Sequence, residues 1–122
     1  PSRDHEHGRV YRVVAEGRSL LEPEDLSALR TPELVARLAS PEDRVRYRAR
    51  GALSARPGDE VQAAVRAWSA SLGSDEAELE HHLLEALWAL QQHDLDEVEL
   101  LERVLTSLDP RARAAAVRVV RG

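Results

Sequence analysis

The sequence predicts an all-α fold: a HEAT-like α-solenoid of three antiparallel helix hairpins, preceded by an orphan β-strand and a connector. Three observations predict it. Helix-start and helix-stop residues recur at regular intervals from Thr31 onward. Apolar residues follow each start at three- and four-residue spacing, the period of a helix with one buried face. The chain also repeats itself. Leu38-Ala39-Ser40-Pro41-Glu42-Asp43-Arg44-Val45-Arg46 aligns with Leu105-Thr106-Ser107-Leu108-Asp109-Pro110-Arg111-Ala112-Arg113, an offset of 67 residues. Ala49 then falls on Ala116 and Leu53 on Val120, and placing Ala86 and Leu90 on the same pattern divides the offset into steps of 37 and 30. Helix pairs that recur every 30 to 45 residues or so stack into solenoids.

At 122 residues the chain is one domain's worth, with 43% apolar and 32% charged residues and a net charge of −5. No apolar run approaches the roughly 18 residues of a membrane span. The absence of Cys excludes disulfides, thiolate metal sites, Cys nucleophiles and covalent haem attachment within these residues. Lys is also absent, so all 17 basic residues are Arg. The chain shows no secretory leader and does not begin with Met, which reads as a processed chain, an excised segment or a fragment.

Taken in order, residues 1–30 differ from the rest, and the division expected is 1–30 against a helical domain over 31–122. Gly8 and Gly17 frame Arg9-Val10-Tyr11-Arg12-Val13-Val14, a β-rich run with no partner elsewhere in the chain. A lone strand cannot satisfy its own backbone groups, so its sheet is expected upstream. Glu16 to Arg30 reads as a polar connector lying loosely over the surface.

Thr31-Pro32 then supplies an N-cap and a first-turn proline for Leu34, Val35 and Leu38. Ser40 with Asp43 reads as a capping box opening a second helix that runs to about Arg56, before Pro57-Gly58. Asp59 is expected to cap a third helix carrying Val61, Val65, Trp68 and Leu72, closed by Gly73. Asp75 opens a fourth, central helix. There Leu79, Leu83, Ala86, Leu87 and Leu90 form one apolar stripe, and Leu84 and Trp88 a second line. A helix apolar on two sides has neighbours on two sides. Leu79, Leu83, Ala86, Leu87, Trp88 and Leu90 are therefore the expected core. Asp96 starts a fifth helix and Asp109-Pro110 a sixth.

Charge follows the same plan. Residues 1–58 hold eleven Arg against nine acids, residues 59–109 two against thirteen, and residues 110–122 four Arg and no acid. An acidic middle between Arg-bearing ends predicts salt bridges from hairpin to hairpin, with Arg46 and Arg113 at equivalent bracing positions. Arg44, Arg46, Arg48 and Arg50 step round two sides of one helix, and an acidic chain with one nearby aromatic, Tyr47, does not suit nucleic acid.

His81, His82 and Glu85 are the only weak candidates for a metal site. Adjacent helix positions diverge by about 100°, so the two imidazoles do not readily share one ion. A helical His bonded to a neighbouring carboxylate is the simpler reading. Asp4-His5-Glu6-His7 carries ligand-type side chains at a terminus. No Ser stands in a strained Gly-flanked turn, and no glycine-rich phosphate loop is present, so neither catalytic nor cofactor-binding residues are expected here.

Four phrases in succession resemble one family. They are His7-Gly8-Arg9-Val10-Tyr11-Arg12-Val13, Arg44 to Arg50, Glu80 to Trp88, and Arg111 to Val119. The order resembles the large PVC-type haem-binding CxxCH proteins, also described as membrane-bound dehydrogenase-domain proteins. In these a sorbosone dehydrogenase-like propeller precedes HEAT-like repeats and a cytochrome c domain. The resemblance implies a closing propeller strand, a connector and a helical spacer, with haem c, substrate oxidation and a periplasmic setting belonging to the parent. This chain has no Cys-x-x-Cys-His and takes none of that chemistry itself. The expected function is a non-catalytic spacer between propeller and cytochrome domains. A free-standing adaptor that binds a protein partner on its concave face is the alternative use of such an array.

Overall fold

The structure, a computed structural model, describes residue 8 and residues 11–19, 22–75 and 78–121. It is all-helical among these residues. Six α-helices follow in order: α1 (Thr31–Ala36), continued by a 3₁₀ turn (Arg37–Ala39), α2 (Asp43–Leu53), α3 (Gly58–Ser71), α4 (Leu79–Gln91), α5 (Val98–Leu105) and α6 (Pro110–Arg121). Helix α1 lies along α3, α3 along α4, and both α4 and α5 along α6, while α2 folds back on α1 and the 3₁₀ turn.

Among the described residues of the expected strand, none is in a strand. Residues 11–14 take part in no ladder, and Tyr11, Val13 and Val14 are exposed. The physical reason is the one that made the segment an orphan: no second strand is there to accept its hydrogen bonds. Arg9, Val10 and the Asp4-His5-Glu6-His7 cluster lie outside the described residues. The connector, by contrast, is tied down rather than loose. Leu26 is buried against the helical core, and Glu24 accepts two parallel bonds from Arg37, one of 2.7 Å from Nε. Arg48 donates to the Glu24 carbonyl and Arg56 to the Leu29 carbonyl, both at 2.8 Å.

Helix boundaries moved wherever another bond competed for the capping group. Thr31 is fully buried as the first residue of α1, and its hydroxyl donates to Glu60 of α3 instead of capping its own helix. The carboxylate of Glu33 takes the Arg30 N–H at 2.7 Å. Ser40 stands outside α2 and accepts the Glu42 N–H at 3.2 Å, a local turn in place of a cap. Helix α2 ends at Leu53, short of Arg56, and closes in a tight turn in which the Arg56 N–H reaches the Leu53 carbonyl at 2.9 Å before Pro57. At Gly58 a side chain would press on Leu95, since the added Cβ would lie 3.3 Å from its Cδ1. Leu72 is extended at the end of α3, so Gly73 supplies no left-handed cap. Asp109 behaves as expected: its Oδ1 accepts the Arg111 N–H at 2.8 Å, with Pro110 first in α6.

The stop of the central helix went unread. Asp94 adopts φ 53°, its N–H reaches the Gln91 carbonyl at 3.1 Å, and the Leu95 N–H reaches the Leu90 carbonyl at 3.2 Å. That pair of bonds is a Schellman cap with Asp where Gly is usual. The short acidic side chain tolerates the left-handed region better than most.

The 67-residue offset survives as geometry. Helices α1 and α5 begin at residues 31 and 98, and α2 and α6 at residues 43 and 110. The loops share two bonds. Ser40 Oγ accepts from the N–H of Glu42, as Ser107 Oγ accepts from that of Asp109 at 3.0 Å. Arg46 Nη1 donates to the Ser40 carbonyl at 2.7 Å, as Arg113 Nη1 donates to the Ser107 carbonyl at 2.8 Å.

The core runs through all six helices: Leu34, Val35, Leu38, Ala49, Leu53, Val61 and Val65, then Leu83, Ala86, Leu87 and Leu90, then Leu100, Val104, Ala112 and Ala116. Leu79 and Trp88 pack against it while half-buried. Leu87→Ala removes a buried side chain from its centre, and urea denaturation is expected to give a loss of about 2–5 kcal/mol. The Arg37 guanidinium holds the Glu24 carboxyl below the usual carboxylate range, through its hydrogen bonds first and its charge second. A depressed folded-state pKa stabilises the strap above the unfolded Glu pKa, and the gain disappears as pH falls through the folded value. An NMR titration of Glu24 is expected to show the low midpoint, returning to the ordinary range in Arg37→Ala.

Candidate functional site

Helix α4 buries a carboxylate in its middle. Glu85 stands between Leu84 and Ala86, and its side chain is only 2% exposed. An ionised carboxylate cannot stay there without partners. Helix α2 provides them from successive turns: Arg46 and Arg50, four residues apart, project on one side of it. Arg50 Nη1 bonds Glu85 Oε2, and Arg46 Nε lies 3.3 Å from Oε1. The two guanidinia are themselves largely covered, at 14% and 19% exposure. Arg46 Nε is not aimed along a hydrogen bond among the described residues, so that contact is charge attraction at short range. The rest of Arg46 is anchored by the Ser40 carbonyl and by Asp43 at 3.1 Å.

His81 and Glu85 meet as neighbours one turn apart, with His81 Nε2 3.6 Å from Oε1. His82 goes elsewhere. It is buried beside Trp68, with ring centroids 6.0 Å apart, and its ring centroid lies 6.3 Å from that of His81. The structure thus joins two of the three metal candidates and separates the third. Both Glu85 oxygens face cations, which would repel a metal ion from the one carboxylate such a site would need. No group of three or more His, Cys, Asp or Glu suited to a metal occurs among the described residues.

The two residues expected to brace hairpins have different tasks. Arg46 reaches from the first hairpin into the second through Glu85. Arg113 donates to the Ser107 and Leu108 carbonyls, at 2.8 and 3.2 Å, within its own hairpin.

Sequence reasoning passed over two side chains of the same kind. Arg50 shares the Glu85 carboxylate, and the readable signal was a lone acid inside an apolar helix opposite a pair of Arg at i, i+4. Arg103 is the other. It donates to the carbonyls of Ser69 and Leu72, at 2.7 and 3.4 Å, and so satisfies orphan acceptors where α3 ends. Arg66 adds a bond to Glu97 on the same side. The connector and α2 also enclose a cleft of mixed charge, with Arg12, Arg18, Arg44 and Arg48 beside Glu22, Glu24 and Glu42.

No family model, no curated protein and no solved structure matches the chain. No helix among the described residues is long and apolar enough to cross a membrane.

Burying one carboxylate between two guanidinia is costly to undo from one side. Glu85→Gln is expected to lose about 2–5 kcal/mol in urea denaturation, because Arg46 and Arg50 are left covered without a counter-charge. Replacing the whole triad, with Arg46→Met, Arg50→Met and Glu85→Leu together, is expected to recover stability to within about 1 kcal/mol. A Glu85→Gln loss under about half a kcal/mol would remove the triad from the list of structural determinants.

Proposed function

We propose that the chain is a non-catalytic spacer: a HEAT-like array of three stacked hairpins that fixes the separation and orientation of the domains joined to it. The observation that carries this reading is the loop clamp made twice, at Ser40, Glu42 and Arg46 and again at Ser107, Asp109 and Arg113. A spacer needs each unit set against the next at a defined angle. A clamp that recurs with the same donors and acceptors supplies one, and Glu85 locks the first unit to the second.

On this reading the joined domains are those that the sequence resemblance implies, a propeller dehydrogenase before the array and a cytochrome c domain after it. The parent would oxidise a sugar or alcohol outside the cytoplasm and pass electrons to haem c, and the array would set the distance they travel. A β-propeller encoded before Pro1 and a Cys-x-x-Cys-His motif encoded after Gly122 are the expected flanking sequences. The second reading, a free-standing adaptor, draws support from apolar side chains left exposed on α6. It takes the lead if the reading frame holds neither flanking domain.

Rigidity is measurable without either. The chain has no Cys, so spin labels can be placed by Tyr47→Cys and Leu108→Cys at two exposed positions in different hairpins. Pulsed electron–electron resonance is expected to give one narrow distance distribution, which broadens in Glu85→Gln. A broad or two-peaked distribution in the otherwise unaltered chain contradicts a spacer.

A further inference from the structure

Three stripes occupy equivalent places in the repeat. With steps of 37 and 30 residues, Arg46, Arg50 and Leu53 of α2 correspond to Leu83, Leu87 and Leu90 of α4, and these to Arg113, Val117 and Val120 of α6. The first stripe is covered by the second hairpin. Arg46 and Arg50 meet Glu85, and His93, just beyond α4, contacts the Leu53 carbonyl through Nε2 at 3.1 Å. The second stripe is buried where α4 runs along α6. The third faces solvent. Val117 is 48% exposed, Val120 61%, and Leu108 at the head of α6 is 94% exposed.

We infer that this face of α6 is a docking surface for an amphipathic helix that carries a carboxylate in its middle and small or aliphatic residues beside it. The inference rests on the repeat reading above. Charge chooses the occupant. Arg113 is the charged member of this exposed stripe, so the face favours a partner that brings a carboxylate. The internal precedent places the carboxylate. In the first clamp Arg46 gives Nη1 to its loop carbonyl and turns Nε to Glu85. In the last, the loop carbonyls likewise bond Nη1 of Arg113. A partner carboxylate beside Arg113 Nε completes the same arrangement, and Val117 and Val120 supply the apolar contact that the Leu83, Leu87 and Leu90 stripe makes one hairpin earlier.

The test uses the full chain and two stapled helical peptides that differ only by Glu→Gln at the central position. Isothermal calorimetry gives the affinities, and amide exchange locates the contact. The Glu peptide is expected to bind about tenfold or more tightly than its Gln twin, to protect α6, and to lose that preference against Arg113→Gln. Val120→Asp alters an exposed position and is expected to abolish binding of both peptides with the fold intact. Equal affinity for the two peptides overturns the charge assignment. No binding at millimolar peptide overturns the surface. A chain dimer in sedimentation that Val120→Asp dissociates makes the occupant a second copy and overturns the proposal. The spin-label distance separates the two readings: a narrow distribution with no peptide binding leaves the array standing and removes only this surface.

Discussion

The fold depends on one carboxylate that has nowhere else to go. Glu85 sits in the most apolar stretch of the chain, in the helix that every hairpin contacts. Because its charge must be answered, Arg46 and Arg50 are drawn across from α2, and with them the first hairpin is held in register on the second. Helix α2 does not lie along α4 as α6 does. The gap between their backbones is filled by two guanidinium side chains whose stems pack and whose heads pair. Ala and Leu alone would leave that seam free to slide by a turn. A buried charge allows only one setting.

The same use of arginine recurs. Helices α3 and α5 do not lie side by side either, and Arg103 and Arg66 span the interval, the first to backbone carbonyls, the second to Glu97. A planar guanidinium can answer a carboxylate with one edge and a carbonyl with another, which an ammonium on a flexible stem does less well. All 17 basic residues are Arg, and the placement of several is structural. Arg46, Arg50 and Arg103 each connect two helices, whereas Arg111 only pairs with Asp109 two residues away.

Much of the fold was legible because periodicity and punctuation report on local physics. The six helices, the Asp109-Pro110 start and the 67-residue offset are properties of short stretches, and the offset alone places Arg46 against Arg113 and Ser40 against Ser107. What failed did so where another bond or another backbone setting displaced the expected cap. Thr31 left its capping role for Glu60, Ser40 made a turn, and Gly73 lost its cap because Leu72 is extended. Asp94 went unnoticed because left-handed caps are expected of Gly. The site was legible in its members but not in its purpose. Glu85 and Arg46 were both singled out, one as a metal candidate and one as a brace, and nothing local in either helix says that they are each other's partners. The β-rich run at Tyr11 is the opposite failure: its propensity was read correctly, and propensity without a second strand makes no sheet.

Two kinds of seam therefore stand in one short all-α chain, and their order follows from what each can do. The charged seam between the first and second hairpins specifies register and adds little net stability, since desolvation consumes most of the Coulomb gain. The apolar seam, where α4 with its buried Leu83, Leu87 and Leu90 runs along α6 with its buried Ala112 and Ala116, supplies burial and little direction. A stack of identical apolar seams would be stable but free to pair out of order, and a stack of charged ones would be well ordered but weak. One of each gives the middle helix pair one neighbour that fixes it in place and one that holds it there. The open stripe on α6 has a member of each kind, Arg113 for register and Val117 with Val120 for burial. Whatever covers it must satisfy both demands at once, which is a narrower requirement than an exposed apolar patch alone would set.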